Sequence, residues 1–126
     1  MTEKHKILLA DDEPFLVEVI RDRLEKDGYE IIISNDGNEA IEKISKEQPE
    51  ILILDLMMPN LDGFRVLSMI SLQEIYLEKI PKIIILSGRD KPLDKNLTQR
   101  FGAIEYLTKP FSLEVLSEKI KQLLNE

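Results

Sequence analysis

Short apolar runs alternate along the chain with longer segments in which apolar residues recur every three or four positions. The runs predict five strands: Lys6–Ala10, Tyr29–Ser34, Ile51–Asp55, Lys82–Leu86 and Ile104–Thr108. The longer segments predict five helices, with apolar positions at Leu16, Val19, Ile20 and Leu24, at Ala40, Ile41 and Ile44, at Phe64, Leu67 and Ile70, at Leu93, Leu97 and Phe101, and at Leu113, Leu116, Ile120 and Leu123. A helix after each strand predicts an α/β fold in which a doubly wound parallel sheet carries helices on both faces.

Residues with special backbone preferences set the expected helix boundaries. Pro14 suits the first turn of the first helix, and Gly28 suits its carboxyl end. The third helix is expected to end between Leu72 and Lys79, and the fourth is expected to span Asp90–Phe101. Ser112 is the expected N-cap of the last helix.

Composition narrows the class of protein. A length of 126 residues, 43% hydrophobic and 33% charged, predicts one globular domain over residues 1–126. The net charge of −7 argues against a nucleic-acid-binding surface, which would be basic. No apolar run approaches the ~20 residues of a membrane helix, so no membrane insertion is expected. The absence of cysteine and of a signal peptide favours a cytoplasmic location.

Polar residues follow four of the predicted strands. Asp11 and Asp12 follow the first, Asp55 ends the third, Ser87 follows the fourth and Lys109 follows the fifth. Singly, each has an ordinary explanation as a helix cap, a turn or a solvated loop residue. Together they fall on the carboxyl edge of a parallel sheet, where ligands bind in such folds, and this joint placement favours a chemical site.

The residue types at this edge suggest a cation and a phosphoryl group. Three neighbouring carboxylates, Asp11, Asp12 and Asp55, repel one another unless a cation neutralises them. Mg2+ fits because it prefers oxygen ligands and keeps several waters. Lys109 and Ser87 supply a positive charge and a hydroxyl that suit phosphoryl oxygens.

Four motifs resemble the response-regulator receiver domains of two-component signalling. They are LLADDEP at residues 8–14, LILDLMMPNLDG at 52–63, IILSG at 84–88 and GAIEYLTKPF at 102–111. The resemblance covers nearly the whole chain and implies the flavodoxin-like, five-stranded sheet of order 2-1-3-4-5 with five helices.

The resemblance implies a role for each matched residue at the metal site. Asp55 matches the phosphoacceptor, Asp12 the direct metal ligand, and Asp11 the neighbouring acid that acts largely through water. Met57 matches the position whose backbone carbonyl completes the metal site, so its side chain is free to vary. Mg2+ is the implied cofactor.

Three further residues match the switching machinery of the family. Ser87 matches the switch hydroxyl, Tyr106 the switch aromatic, and Lys109 the lysine that contacts phosphoryl oxygens, followed by a cis peptide bond to Pro110. Gly88 departs from the alanine of many members but leaves the site equally open. Lys119 stands where transcription factors of the family carry an arginine used in dimer contacts.

The implied function is a phosphorylation-activated response regulator. A sensor histidine kinase or phosphotransfer protein, meeting the first helix, would phosphorylate Asp55, and a downstream protein would bind the surface of the fourth helix, fifth strand and fifth helix. Such a protein hydrolyses its own aspartyl phosphate without being a turnover enzyme on an external substrate. The alternatives are a phosphorelay intermediate and a receiver excised from a longer regulator with an output domain.

Two functions of a different class are weaker. An aspartyl-nucleophile hydrolase would carry a second acid two positions after Asp55, where Met57 stands. A flavin-binding module on the same fold would need a phosphate-cradling loop, and this edge is acidic instead.

Overall fold

The strands and helices alternate as the apolar pattern predicts. The structure, a computed structural model, describes residues 4–60, 62–88 and 92–125. In chain order its elements are β1 (Lys6–Ala10), α1 (Pro14–Lys26), β2 (Glu30–Ser34), α2 (Gly37–Glu47), β3 (Ile51–Asp55), α3 (Gly63–Ser71), β4 (Lys82–Ser87), α4 (Pro92–Arg100), β5 (Ala103–Thr108) and α5 (Leu113–Leu123). The strands form one parallel sheet in the order β2-β1-β3-β4-β5. The predicted fold class and strand order are confirmed.

Strand boundaries differ from the predicted ones by a single residue. β2 begins at Glu30 instead of Tyr29, β4 continues to Ser87, and β5 begins at Ala103. The ends of an element vary by a residue between criteria, and an apolar pattern does not define them more finely. The central segments, which position the polar edge, are as predicted.

Helix boundaries follow from the capping residues. Side-chain oxygens of Asp36, Asp62 and Ser112 accept backbone N–H groups of Glu39, Arg65 and Val115 at 2.8, 3.0 and 3.3 Å. These bonds satisfy donors that the first turns of α2, α3 and α5 would otherwise leave unpaired. The predicted N-cap at Ser112 is confirmed.

Two helix ends also bear on the predictions. α3 ends at Ser71 with Leu72 as its C-cap, at the near end of the expected range. Gly28 follows the last residues of α1 with φ +102, a conformation that glycine adopts without steric cost. The expected start of the fourth helix at Asp90 lies outside the described residues, and the described part of α4 begins at Pro92.

The sheet separates two hydrophobic cores. The core on one face includes Ala40, Ile44, Val66, Leu67 and Ile70 of α2 and α3. The core on the other includes Val17, Ile20, Leu24, Leu116 and Ile120 of α1 and α5. Because every residue of β3 is buried, its sequence is a continuous apolar run without alternation.

The fourth helix corrects one expectation. The buried side chains of α4 are Asp94 and Thr98, whereas Leu93 is 75% exposed and Leu97 36% exposed. Phe101, just beyond the helix, is half-buried and packs against a core. An apolar stripe ordinarily faces the core, and for the two leucines of this predicted stripe that expectation is wrong. A weak stripe shows which residues share a face but not which face is inward, and here small side chains lie against the sheet.

No helix within the described ranges is long and apolar enough to span a membrane.

Candidate functional site

The register of the central strands brings the acids of the polar edge together. Ala10 of β1 pairs with Leu54 of β3. Asp11 and Asp55 are the next residues of the two strands, so they lie side by side at the same edge of the sheet. One carboxylate oxygen from each of Asp11, Asp12 and Asp55 lies within 4.8 Å of the others. Asp11 and Asp55 are buried, whereas Asp12 is exposed to solvent. The acid cluster expected from the sequence is therefore present.

Lys109 lies over the acid cluster and contacts three carboxylates. Its Nζ lies 3.0 Å from Asp11 Oδ2, 2.7 Å from Glu13 Oε1 and 3.5 Å from Asp55 Oδ2. Its peptide bond to Pro110 is cis, as the family resemblance implies. The predicted placement of Lys109 beside Asp55 is what the structure shows, while Glu13 is a partner that the sequence interpretation did not include.

Burial dominates the electrostatics of Asp55. Removal from water raises the pKa of Asp55 to about 6, and the negative charges of Asp11 and Asp12 add to the rise. The Met57 N–H, which donates to Asp55 Oδ1 at 3.1 Å, and the charge of Lys109 act in the opposite direction. At neutral pH the carboxyl is mostly ionised, yet it is more basic than an exposed aspartate and so a better nucleophile.

The acidic neighbours of Lys109 outweigh the effect of its burial. Burial alone would lower the pKa of Lys109, but the hydrogen bonds to Glu13 and Asp11, together with the charges of Asp11 and Asp55, raise it well above its usual range. Lys109 is therefore a fixed positive charge beside Asp55.

The loop after β3 folds tightly back onto Asp55. The Gly63 N–H donates to the Leu56 carbonyl at 3.0 Å, which closes the loop at its base. A Cβ atom at Gly63 would lie 2.3 Å from the carbonyl oxygen of Asp55 and 2.7 Å from Leu56 Cα. Only a residue without a side chain lets α3 begin this close to Asp55. Met57, in the same loop, has a side chain that is 58% exposed.

Ser87 and Tyr106 lie farther along the sheet, on the side of α4. Ser87 is fully buried at the end of β4, and its carbonyl accepts the Lys109 N–H at 2.7 Å. Tyr106 pairs with Ile85, two residues before Ser87, so Tyr106 and Ser87 lie on the same face of the sheet. The half-buried Tyr106 ring has Lys95 Nζ 5.7 Å from its centroid. A Cβ at Gly88 would meet no atom within 4 Å, so glycine and alanine leave this edge equally open.

The donor set of the acid cluster fits a hard divalent cation. All three side chains offer carboxylate oxygen, and opposite ligands of an octahedral Mg2+ lie about 4.2 Å apart, close to the 4.8 Å within which these oxygens already fall. The exposed Asp12 leaves one side open to water, which Mg2+ retains. Asp11, Asp12 and Asp55 are therefore suited to hold Mg2+.

Three features of the site were not found from the sequence. They are the contact of Glu13 with Lys109, the close approach of Gly63 to Asp55, and a hydrogen bond between Asn60 and Asp36. The adjacency of Glu13 to Asp11 and Asp12 was an available signal. For Asn60 and Asp36, which lie 24 residues apart, the sequence carries no such signal.

Comparison with known proteins gives one consistent result. The family model for the response regulator receiver domain matches residues 7–121. The alkaline phosphatase synthesis transcriptional regulatory protein PhoP of Bacillus subtilis is 37% identical over 94% of this chain and 48% of its own length. The transcriptional regulatory protein TrcR of Mycobacterium tuberculosis is 36% identical over 94% of this chain and 45% of its own. The chain thus spans about half the length of the curated relatives it matches.

Solved structures agree with the family match. The receiver domain of a Francisella response regulator superposes with a TM-score of 0.88 at 32% identity, covering 97% of this chain and 98% of that one. The response regulator TrrA of Thermotoga maritima, determined in complex with Mg2+ and BeF, gives a TM-score of 0.81 at 34% identity over 94% of this chain and 98% of that one.

Proposed function

The chain belongs to the response regulator receiver domains of two-component systems, and we propose that phosphorylation of Asp55 switches it. The observation that carries this proposal is the environment of Asp55. Its buried carboxylate ends the central strand, 3.5 Å from Lys109 and beside two further acids. A nucleophile held next to a fixed positive charge at an open sheet edge suits phosphoryl transfer.

The chemical step uses one oxygen of Asp55 as the nucleophile. Asp55 attacks phosphorus on a phosphohistidine, and the bond between phosphorus and the histidine nitrogen breaks. The electron pair stays on the leaving imidazole, which takes up a proton, and Asp55 becomes an acyl phosphate. The Met57 N–H, 3.1 Å from Asp55 Oδ1, holds the carboxylate in one orientation during the attack.

Asp11, Asp12 and Asp55, with the Met57 carbonyl, would hold Mg2+ at this edge. When bound, Mg2+ supplies positive charge that offsets the charge of the carboxylate and phosphoryl oxygens. Lys109 provides a second positive charge. It remains protonated because its three acidic neighbours stabilise the ammonium form. The Mg2+ and BeF in the TrrA structure support this assignment.

The signal is proposed to travel through Ser87 and Tyr106. The Ser87 hydroxyl would move toward the new phosphoryl oxygens, and Tyr106 on the same face of the sheet would occupy the space that Ser87 leaves. α4 lies against β5 beside Tyr106, and of its described residues only Asp94 and Thr98 are buried, so its position is easily biased.

The surface formed by α4, β5 and α5 is the proposed site for a downstream protein. It exposes four apolar side chains, Leu93, Leu97, Ile104 and Val115. Lys119 of α5 is paired with Glu105 of β5 at 2.8 Å within the chain. Exposed apolar residues on and beside a helix with few buried side chains favour a partner that distinguishes two positions of that helix.

The proposed kinase contact lies at α1. Phe15 in its first turn is 82% exposed and follows closely after Asp11 and Asp12. An exposed aromatic at the start of the helix that follows Asp11 and Asp12 suits docking of the phosphohistidine-bearing protein. Water would hydrolyse the acyl phosphate on Asp55, so the proposed reaction is a phosphorylation of the protein itself and not turnover of an external substrate.

A second candidate is the receiver part of a longer regulator. The specific observation is that PhoP and TrcR, both transcriptional regulatory proteins, are matched over 48% and 45% of their lengths. Phosphorylation of Asp55 would then control an output domain of the same chain. A phosphorelay intermediate would use the same chemistry, with a second histidine as acceptor.

The test is phosphorylation by acetyl phosphate in the presence of Mg2+, followed by intact-mass measurement. The wild-type protein should gain one acid-labile phosphoryl group, and Asp55→Asn should gain none. Asp22→Asn on the exposed side of α1 is the matched control and should be phosphorylated like wild type. Phosphorylation of Asp55→Asn at the wild-type rate would show that the assignment is wrong.

A further inference from the structure

The loop between β3 and α3 is tied to α2 by a hydrogen bond between side chains. Asn60 Nδ2 donates to Asp36 Oδ2 at 2.9 Å. Asn60 has φ +69, a left-handed conformation that asparagine tolerates better than most residues. Both residue types therefore suit the contact. Asparagine tolerates the left-handed backbone and has an amide that donates, and aspartate has a second carboxylate oxygen that accepts.

Asp36 uses its two carboxylate oxygens for different partners. Oδ1 accepts the Glu39 N–H at 2.8 Å and so caps α2, while Oδ2 accepts Asn60. These bonds keep the pKa of Asp36 below its usual value, and the bond from the Glu39 backbone has the larger effect. Both oxygens therefore remain acceptors at neutral pH. A serine would cap the helix equally well but has no second oxygen to reach Asn60.

The helix at the other end of this contact is well anchored. Ala40 and Ile44 of α2 are fully buried in the core. Lys43 of α2 donates to the Ile33 carbonyl of β2 and pairs with Glu39 at 3.0 Å. α2 is thus a fixed point against which the loop is held.

The loop is fixed at its two ends near Asp55 as well. Met57 N–H donates to Asp55 Oδ1, and Gly63 N–H donates to the Leu56 carbonyl. Asn60 lies between these points, three residues after Met57. Hydrogen bonds at Met57 and at Asn60 thus limit the positions that the Met57 carbonyl can take.

We propose that the Asp36–Asn60 hydrogen bond is a positioning contact that presets the Met57 carbonyl for the divalent cation of the phosphorylation site. This inference rests on the proposed function. Asn60 and Asp36 are positioning residues: they contact neither the cation nor the phosphoryl group and act through the loop. Without their bond, the loop must be ordered by the cation itself, which weakens cation binding.

Three variants separate this role from simple structural support. Asp36→Ser keeps the helix cap and removes the contact, and Asn60→Gly keeps the left-handed backbone and removes the amide. The exchanged pair, Asp36→Asn combined with Asn60→Asp, restores the bond in reverse without changing net charge. Its asparagine can cap α2 through the side-chain oxygen and donate the amide to the aspartate introduced in the loop. Unfolding free energies identify any variant that is globally damaged, and Asp36→Ser decides alone if Asn60→Gly does not fold.

The measurements are the Mg2+ dissociation constant from amide NMR shifts and the acetyl phosphate reaction rate as a function of Mg2+. Each single variant should bind Mg2+ about tenfold more weakly. This is the smaller of the losses in metal affinity that follow when a residue orienting a metal ligand is replaced. At saturating Mg2+, its phosphorylation rate should return to within about twofold of wild type, because the cation then orders the loop. The exchanged pair should recover wild-type affinity within about twofold.

The outcomes distinguish this inference from the proposed function. Wild-type protein that binds no Mg2+ would overturn the proposed function and this inference with it. Wild-type binding together with unchanged affinity in Asp36→Ser would overturn the inference alone. Weaker affinity in both single variants without recovery in the exchanged pair would also overturn it, since the losses would then be local and unrelated to the bond.

Discussion

Asp55 is held in the folded state at a cost to stability when no cation is bound. Its pKa is about 6 in the folded protein and 3.8 as a free side chain. Between these values the folded state binds more protons than the unfolded state, so the free energy of unfolding falls as pH rises through this range. The difference corresponds to about 3 kcal/mol, lost fully above pH 6.

Asp55→Asn should therefore stabilise the protein in a pH-dependent way. In the absence of divalent cations, the substitution should raise the free energy of unfolding by about 3 kcal/mol at pH 7.5 and by less than about 1 kcal/mol near pH 4. Urea denaturation at both pH values measures this. An equal effect at pH 4 and pH 7.5 would contradict the electrostatic explanation.

Gly63 and Gly88, which both lie near the carboxyl ends of central strands, should respond differently to the same substitution. Gly63→Ala places a methyl group 2.3 Å from the Asp55 carbonyl oxygen and should destabilise the protein by about 3 kcal/mol, because α3 must move away from β3. Gly88→Ala meets no atom within 4 Å and should change stability by less than about 1 kcal/mol. Thermal or urea unfolding of both variants provides the comparison, and equal losses would contradict the close-approach argument.

Among the elements, α4 combines weak packing with exposed apolar side chains. Its buried side chains are Asp94 and Thr98, and the Thr98 hydroxyl donates to the Asp94 carbonyl at 3.0 Å within the helix itself. Leu93 and Leu97 contribute little to the core because they face outward. The free energy that holds α4 on β5 is correspondingly small, which suits an element that changes position.

Hydrogen exchange should locate the response to phosphorylation in α4 and β5. Beryllium fluoride with Mg2+ serves as the phosphoryl mimic, and peptides covering Pro92–Arg100 and Ala103–Thr108 should change protection. α2, whose apolar face is buried, is the internal control and should change little. Changes confined to α1, with α4 and β5 unaltered, would refute the proposed output surface while leaving the chemistry of Asp55 intact.

At the scale of the whole molecule, a cation bound at the acidic edge would link binding to folding. The chain carries a net charge of −7, and three of its acids lie within 4.8 Å of one another at this edge. Lys109 neutralises them only in part, since it is one positive charge among Asp11, Asp55 and Glu13. A cation bound only by the folded state must raise stability by mass action.

Mg2+ should consequently raise the melting temperature, and Asp12→Ala should remove most of that increase. Asp12 is exposed, so its loss should not harm the core. At a Mg2+ concentration 100 times the dissociation constant, the wild-type gain is about 2.7 kcal/mol. Differential scanning calorimetry with Mg2+ or EDTA measures the effect. The matched control Asp22→Asn should keep the full response, and a full response in Asp12→Ala would argue against direct ligation.

The order of the elements, and the edge of the sheet where the acids and Lys109 meet, could be inferred from the sequence alone. Continuous apolar runs identified strands buried on both faces, and periodic segments identified the helices between them. Because parallel strands end at one edge, Asp55 and Lys109 could be expected together although they lie 54 residues apart. This inference needed only the alternation of the two patterns and the position of each polar residue at the end of a strand.

Tertiary structure alone decided the contacts that depend on loop path and helix rotation. The outward orientation of Leu93, the hydrogen bond from Asn60 to Asp36 and the tight approach of Gly63 to Asp55 all belong to this class. A periodic pattern gives the residues that share a face, but packing against the rest of the molecule selects the face that is buried. Side chains of separate loops meet only where the folded backbone places them, and no local pattern records that distance.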